Sequence, residues 1–135
     1  MPRTEEMSIQ VYGSEHQEQA ALFEWAAWHS ERVPALQLMF AIPNGGKRDK
    51  VTAARMKTEG VKSGVPDICL PVARRGFHGF YIELKVGANK PSKEQLRWLE
   101  ALTLEGYMTD VSYGWTEAAH KIIRYLGLYP SDYGV

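Results

Sequence analysis

The sequence has little cysteine and no long apolar run. Cys69 is the only cysteine among 135 residues, which excludes an internal disulfide framework and fits a reducing cytosol. No segment approaches the roughly 18 consecutive apolar residues of a membrane-spanning helix, and no apolar run follows a basic start as in a secretory signal. We therefore expect a cytoplasmic protein without a membrane partner, in which Cys69 is a small buried strand residue.

Net charge is also absent, because Lys and Arg together number 16, as do Asp and Glu. A neutral chain argues mildly against a nucleic-acid partner, but the charges are unevenly distributed. Residues 44–62 contain six basic side chains against two acidic ones. Gly45, Gly46 and Gly64 leave backbone amides accessible beside this basic segment, a combination suited to phosphate contacts. A solvated helix face is the simpler explanation, so composition alone leaves the partner open.

The length of 135 residues is that of one domain that can bury a core. We expect this domain over residues 14–126, between a loose arm over residues 1–13 and a tail over residues 127–135 without clear structure. The patterns predict helix, strand, short helix, two strands, helix, strand and helix. This order indicates an α/β fold with a mixed four-stranded sheet flanked by helices.

Capping signals and apolar periodicity locate these elements. Ser14 with Gln17, and Ser92 with Gln95, have the spacing of capping boxes, and the first of these helices runs to about Ser30. The remaining predictions are strands over residues 36–42, 66–72, 80–86 and 107–113, a turn over residues 43–46, and helix caps at Asp49 and Thr116. The connection over residues 73–79 is too short for a parallel crossover, so the two strands that it joins should be antiparallel. The strand–helix–strand unit that follows predicts a parallel neighbour.

Two carboxylates and an ammonium group converge on one face of the predicted hairpin. Side chains alternate along a strand, so Glu83 and Lys85 share one face, and pairing of the two strands brings Asp67 alongside them. Hard divalent cations such as magnesium prefer carboxylate, carbonyl and water oxygens, and the Leu84 carbonyl lies at the same level. A cation bound there would activate water and offset charge on a phosphoryl group, with Lys85 orienting the water or binding phosphate.

Two further side chains come from flanking helices. Glu18 of the first helix is the preferred third carboxylate, and Glu15, one turn earlier on the same face, is the alternative. Gln95 falls near the inward stripe of a later helix and can position Lys85 or the nucleophile. A Glu-x-Lys strand pattern alone is usually an ordinary salt bridge, whereas the ordered set of these residues is much more informative.

The ordered set resembles the PD-(D/E)XK nuclease superfamily, and within it the compact VRR-NUC domain that occurs alone in phages. The resemblance extends over residues 14–126 and is carried by SEHQEQ (14–19), IPNGG (42–46), EGVKSGVPD (59–67), YIELK (81–85), SKEQ (92–95) and Gly106-Tyr107. It implies a restriction-endonuclease-like core and a nuclease that depends on Mg²⁺ or Mn²⁺, without an organic cofactor. By position, Asp67, Glu83 and Lys85 match the catalytic trio and Gln95 matches the glutamine of the following helix.

The resemblance also implies DNA as the partner. Stand-alone members resemble structure-selective nucleases, some of which act as dimers on branched DNA such as Holliday junctions or flaps, and Trp28, Trp98 and Trp115 are candidates for an interface. The arginine pair of the family name is not clearly mirrored, and Arg74 and Arg75 are its nearest candidates. The candidate nucleic-acid contacts are Asn44, Gly45, Gly46, Lys47, Arg48, Lys62, Ser63, Arg74 and Arg75.

Two alternatives stay open from the sequence. One is a non-catalytic nucleic-acid-binding module of the same fold, against which the intact Asp67, Glu83 and Lys85 argue. The other is an unrelated α/β domain in which Glu83 and Lys85 pair on the surface. A zinc enzyme is not expected, because the four histidines lack the close spacing of zinc ligands.

Overall fold

The computed structural model describes residues 13–43 and 49–135. In these residues it contains two 3-10 helices, Pro34–Leu38 and Pro130–Tyr133, in addition to the α-helices and strands. The latter are, in chain order, α1 (Glu15–His29), β1 (Phe40–Ala41), α2 (Lys50–Thr58), β2 (Ile68–Leu70), β3 (Phe80–Lys85), α3 (Lys93–Leu104), β4 (Met108–Tyr113) and α4 (Trp115–Tyr125). The α/β fold with flanking helices is therefore confirmed. No helix in the described residues is long and apolar enough to cross a membrane.

The four strands form one mixed sheet in the order β1-β2-β3-β4. β2 is antiparallel to β1 and β3, whereas β4 is parallel to β3. The antiparallel β2–β3 pair and the parallel β3–β4 pair are as their connections predict. Ile68 lies opposite Ile82, so the next pair outward brings Asp67 opposite Glu83. Residues directly opposite each other in an antiparallel pair point to the same face.

The main core lies on the other face of β3. Phe80, Ile82 and Leu84 are buried there in one cluster with residues of α1 and α4, among them Leu22 and Ile122. α3 covers the face that carries Glu83, and Cys69 is free and buried as expected. The apolar face anchors β3, which leaves its opposite face available for polar groups.

The helix starts follow the sequence closely. Ser14 and Ser92 each complete a capping box with the glutamine three residues later, and Asp49 accepts a hydrogen bond from the backbone of Thr52. Each cap satisfies backbone N–H groups that a helix start leaves without a partner. These three caps are confirmed.

The predicted strand over residues 36–42 is wrong for most of its length. Residues 34–38 form a 3-10 helix, and only Phe40 and Ala41 join the sheet. Val33, Leu36 and Met39 are buried while Leu38 and Phe40 are exposed. Burial at every third residue matches the three-residue turn of a 3-10 helix rather than the alternation of a strand.

The predicted cap of the last helix is also wrong. α4 begins at Trp115, so Thr116 lies in its first turn, and the N-cap is Gly114 with φ +85° and no side chain. The carboxylate of Glu18 on α1 instead accepts the Trp115 N–H at 2.9 Å. A long-range contact has replaced the local cap that sequence spacing suggests.

The C-terminal residues, expected to be without structure, pack onto the domain. Pro130–Tyr133 is a 3-10 helix with Tyr133 buried. The Trp25 indole donates to the Tyr133 carbonyl at 2.8 Å, and the Arg32 guanidinium lies over the Tyr133 ring. Residues 1–12 of the expected arm and residues 44–48, which include most of the expected turn, lie outside the described residues.

Candidate active site

Asp67 is held at the start of β2 by both neighbouring strands. Its carboxylate Oδ2 accepts the Leu84 N–H at 2.8 Å, and its carbonyl accepts the Ile42 N–H at 2.7 Å. β2 begins only at Ile68, so its backbone does not extend far enough to accept the Leu84 N–H. The Asp67 side chain accepts it instead. The carbonyl of Leu84 points to the same edge as its N–H group, toward Asp67.

Glu83 is a carboxyl group buried in the middle of the sheet. Its side chain is 1% exposed, and its Oε2 accepts from the Gln95 amide at 3.1 Å. Within the described residues, its Oε1 is buried without a hydrogen-bond partner. Burial, and then the charge of Asp67, raise the pKa of Glu83 to about 8 against the opposing effect of Lys85. A buried polar atom without a partner costs free energy, so this site is poised to receive a proton or a cation.

Lys85 lies between two acidic side chains. Its Nζ is 3.6 Å from Glu83 Oε2 and 3.9 Å from Glu15 Oε2, and the residue is 8% exposed. Because the ammonium group is buried between two carboxylates, its flexible stem is restricted. The ammonium group is thereby fixed beside Glu83.

Gln95 belongs to the second capping box and also contacts Glu83. Its side-chain oxygen accepts the Ser92 N–H at 2.8 Å, while its amide nitrogen donates to Glu83. A single amide has both a donor and an acceptor end, so the start of α3 orients Glu83. Its place on the inward side of α3 follows the sequence prediction.

The structure brings Glu15, rather than Glu18, to Lys85. The Glu18 carboxylate accepts N–H groups from Gly13 at 3.1 Å and from Trp115 at 2.9 Å, so both of its oxygens are engaged by backbone. Glu18 thus lies at the N-terminus of α4, where the helix dipole favours a negative charge. Gly114 is the sequence signal that could have distinguished Glu18 from Glu15. As an N-cap without a side chain, it leaves the helix start in need of a hydrogen-bond acceptor from another element, and Glu18 provides that acceptor.

The oxygen donors of the site fit a hard divalent cation. Among the described residues the Oε1 of Glu83 lacks a partner, and Asp67 lies directly before β2 with the Leu84 carbonyl beside it. Among residues 13–43 and 49–135, no three His, Cys, Asp or Glu side chains form a metal-ligand group; a third carboxylate from Glu18 stays a prediction. Two carboxylates with water and substrate phosphate suffice for magnesium.

The candidate nucleic-acid residues fall into separate groups. Lys62 is exposed near α3, and the Ser63 hydroxyl contacts the Glu94 carboxylate. Arg74 and Arg75 are exposed in the loop between β2 and β3, at the end of β3 away from Lys85, about 17 Å along a strand of this length. The other five, Asn44 to Arg48, lie outside the described residues.

A family model described as the VRR-NUC domain matches residues 3–115. The chain belongs to the VRR-NUC domain family. No curated protein matches the sequence. A solved structure described as "VRR_NUC domain protein" is similar with a TM-score of 0.71 and 28% identity, over 89% of this chain and 93% of that chain.

Membership confirms the resemblance that the sequence motifs indicate. VRR-NUC domains are typically nuclease domains, and the mixed four-stranded sheet with flanking helices is consistent with the VRR-NUC nuclease fold. A nuclease family implies DNA as substrate. This VRR-NUC chain therefore combines a nuclease fold with a buried cluster of acidic, basic and amide groups.

Proposed function

We propose that this VRR-NUC protein is a divalent-metal-dependent DNA endonuclease that cuts branched DNA such as Holliday junctions or flaps. One observation carries the proposal. Glu83 is buried opposite Asp67 with one carboxylate oxygen lacking a partner, directly beside the Lys85 ammonium group. Burial of such a group without a ligand is costly, and a cation bound between Glu83 and Asp67 would offset that cost.

The proposed role of each residue follows from its contacts. Asp67 and Glu83, with the Leu84 carbonyl, hold Mg²⁺ or Mn²⁺. When bound, such a cation lowers the pKa of a coordinated water and offsets negative charge on the phosphoryl group. Lys85 binds the scissile phosphate and orients the attacking water, and Glu15 keeps the ammonium group pointed into the site. Gln95 is a positioning residue that acts through Glu83.

The preference for branched DNA is the finer part of the proposal. Cutting a symmetric junction on opposed strands requires two active sites related by a two-fold axis, so we include a homodimer in it. Trp28 on α1 is 85% exposed, which makes it a candidate interface residue. Mass measurement in solution, with and without a junction, tests this part independently of cleavage.

Cleavage of a panel of labelled DNAs tests the activity. Linear, flap and four-way substrates are incubated with Mg²⁺, Mn²⁺ or a chelator. We expect cleavage of branched DNA with either metal, no cleavage with the chelator, and a loss of about 100-fold or more in Asp67→Ala and Lys85→Ala, the scale of removing a catalytic group.

Matched variants separate chemistry from folding. Asp132→Ala and Arg124→Ala remove an exposed acidic residue from the C-terminal 3-10 helix and an exposed basic residue from α4, and both should cut normally. Wild-type protein that binds DNA but cuts nothing with either metal would contradict the proposal and favour a non-catalytic binding module. Normal cleavage by Lys85→Ala would show that the site is wrongly assigned.

A further inference from the structure

α2 is a helix that packing does not explain. It has nine residues, none of which is buried, and its sequence KVTAARMKT contains three basic residues and no acidic one. Helices of this length are marginal in water unless they pack an apolar face against the protein. Val51 on this helix is 70% exposed. α2 therefore lacks the burial that normally stabilises a short helix.

A groove of about 640 Å³ separates α2 from α3. Met56, Val61 and Trp98 provide apolar surface along it, and Lys57, Lys62 and Arg97 provide positive charge. The acidic residue in this lining is Glu94, whose carboxylate contacts the Ser63 hydroxyl. The groove thus combines an aromatic and apolar floor with an excess of positive charge.

The α3 wall of the groove is held in place. The Trp98 indole donates to the Ser63 carbonyl at 3.1 Å. Gly64 has φ +86°, and a Cβ atom there would lie 3.1 Å from both Glu94 and Trp98. The backbone of residues 63–64 therefore lies directly on α3, which fixes the Trp98 ring before any ligand arrives.

The groove is continuous with the candidate active site along the chain. On one side Gly64 is three residues before Asp67, and on the other Glu94 is next to Gln95, which bonds Glu83. A strand whose phosphate lies at Asp67 and Glu83 would therefore meet the groove within a few nucleotides. The occupant has to be anionic along its length and apolar at intervals.

We propose that the α2–α3 groove receives an unpaired nucleotide of the DNA substrate, with its base on Trp98 and its phosphates near Lys57, Lys62 and Arg97. This inference rests on the proposed nuclease function and specifies the part of the DNA that is recognised. An unpaired base exposes the aromatic face that stacks on a side chain, whereas the faces of a paired base are covered by neighbouring pairs. A nucleotide at this position would also contact α2, a helix in which no residue is buried.

Binding without cleavage tests the inference. Affinity is measured by fluorescence anisotropy, in chelator, for a fully paired duplex and for the same duplex carrying a five-nucleotide unpaired arm. Stacking of one base is worth about 1–3 kcal/mol, so Trp98→Ala should weaken binding of the armed duplex by about tenfold or more. Binding of the paired duplex should change by less than threefold.

Two variants serve as controls. Trp98→Phe retains an aromatic ring and should keep most of the preference for the unpaired arm, which a purely structural role of the indole hydrogen bond would not do. Tyr129→Ala removes an aromatic residue that is 76% exposed and should leave both affinities unchanged. Thermal unfolding verifies that each variant is folded.

The outcomes separate this inference from the proposed function. Equal loss of affinity for both DNAs in folded Trp98→Ala, or no loss for either, would overturn the groove as a site for an unpaired nucleotide. A change in the mass of the protein in Trp98→Ala, without a change in DNA binding, would overturn it in favour of a protein interface. Absence of cleavage by wild-type protein would overturn the nuclease proposal alone, because the binding comparison needs no cleavage.

Discussion

At the scale of single residues, Glu83 decides the chemistry. The Glu83 carboxyl group is 1% exposed and lies opposite the Asp67 carboxylate. Burial and the neighbouring negative charge both disfavour its ionisation. The favourable contacts from Lys85 and Gln95 both go to the Oε2 atom of Glu83. The pKa of about 8 means that, without a cation, Glu83 holds a proton at neutral pH. The same residue is therefore a source of instability that changes with pH.

Glu83 should make the unliganded protein less stable as pH rises. The pKa is raised from 4.5 to about 8, so between these values the native state holds a proton that the unfolded state has released. Stability therefore falls with rising pH, by at most about 1.4 kcal/mol per pH unit for one proton. Urea unfolding in chelator from pH 5 to 8.5 measures this slope.

Glu83→Gln provides the reference for that slope. Glutamine has nearly the same shape and no titration, so the variant should become more stable relative to wild type as pH rises. Parallel pH profiles of the two proteins would contradict the raised pKa of Glu83. Addition of Mg²⁺ should restore wild-type stability at high pH and leave the variant unaffected, if the cation binds at this carboxylate.

Glu15 and Glu18 should have separable effects. Glu15→Gln removes the charge that contacts Lys85 from a partly exposed position, so cleavage should fall while the free energy of unfolding changes little. Glu18→Ala removes the acceptor of the Trp115 N–H and should cost about 1 kcal/mol, as the loss of a helix cap does. Cleavage assays and urea unfolding on both variants measure the two effects. The reverse pattern would return the catalytic role to Glu18.

At the scale of elements, the segment from Gly64 to Asp67 and the start of α3 define the geometry of the site. The capping box of Ser92 and Gln95 both begins α3 and orients Glu83. Gly64 allows the chain to pass directly over α3 before Asp67 begins β2. The capping box and the close approach of Gly64 to α3 therefore bring Asp67 and Gln95 to one site, although they are 28 residues apart in sequence.

Gly64→Ala should disturb this junction. The positive φ of +86° costs about 1 kcal/mol or more with a Cβ atom, and the methyl group would also press on the α3 backbone and Trp98. Gly60→Ala is the matched control, since Gly60 has φ +96° with nothing within 4 Å of the added Cβ. Urea unfolding should give a larger loss at Gly64 than at Gly60. Equal losses would mean that α3 moves aside without cost.

At the scale of the whole molecule, the C-terminal residues complete the core. Tyr133 is buried against α1, where the Trp25 indole donates to its carbonyl. α1 also caps α4 through Glu18 and supplies Glu15 to Lys85. Packing of the last residues on α1 therefore supports the helix that contributes to the candidate active site.

Tyr133→Ala should destabilise the protein by about 3 kcal/mol, as truncation of a buried aromatic side chain does. Tyr129→Ala is the matched control, because Tyr129 is 76% exposed. This substitution should lower the free energy of unfolding by less than about 0.5 kcal/mol, as other surface substitutions do. Thermal unfolding followed by circular dichroism measures both. Equal stability of the two variants would mean that the C-terminal 3-10 helix adds nothing to the fold.

Much of this fold follows from the sequence because the signals are local. Capping boxes at Ser14 and Ser92 and the cap at Asp49 involve residues three apart, and strand alternation put Glu83 and Lys85 on one face. The prediction of a strand over residues 36–42 failed because a short apolar run does not by itself distinguish a strand from a helix, and the three-residue period of burial appears only in the packed structure. The cap at Thr116 failed because the true acceptor, Glu18, lies 97 residues from Trp115.

By itself, the sequence indicated the family, the antiparallel β2–β3 pair, the parallel β3–β4 pair and the candidate set of Asp67, Glu83, Lys85 and Gln95, since motif order, connection length and strand period are properties of the chain alone. Only the tertiary structure decided which helix acid contacts Lys85, that one buried oxygen of Glu83 has no partner among residues 13–43 and 49–135, and that α2 and α3 form a groove. Burial and proximity between distant residues arise from packing, and no local pattern encodes them.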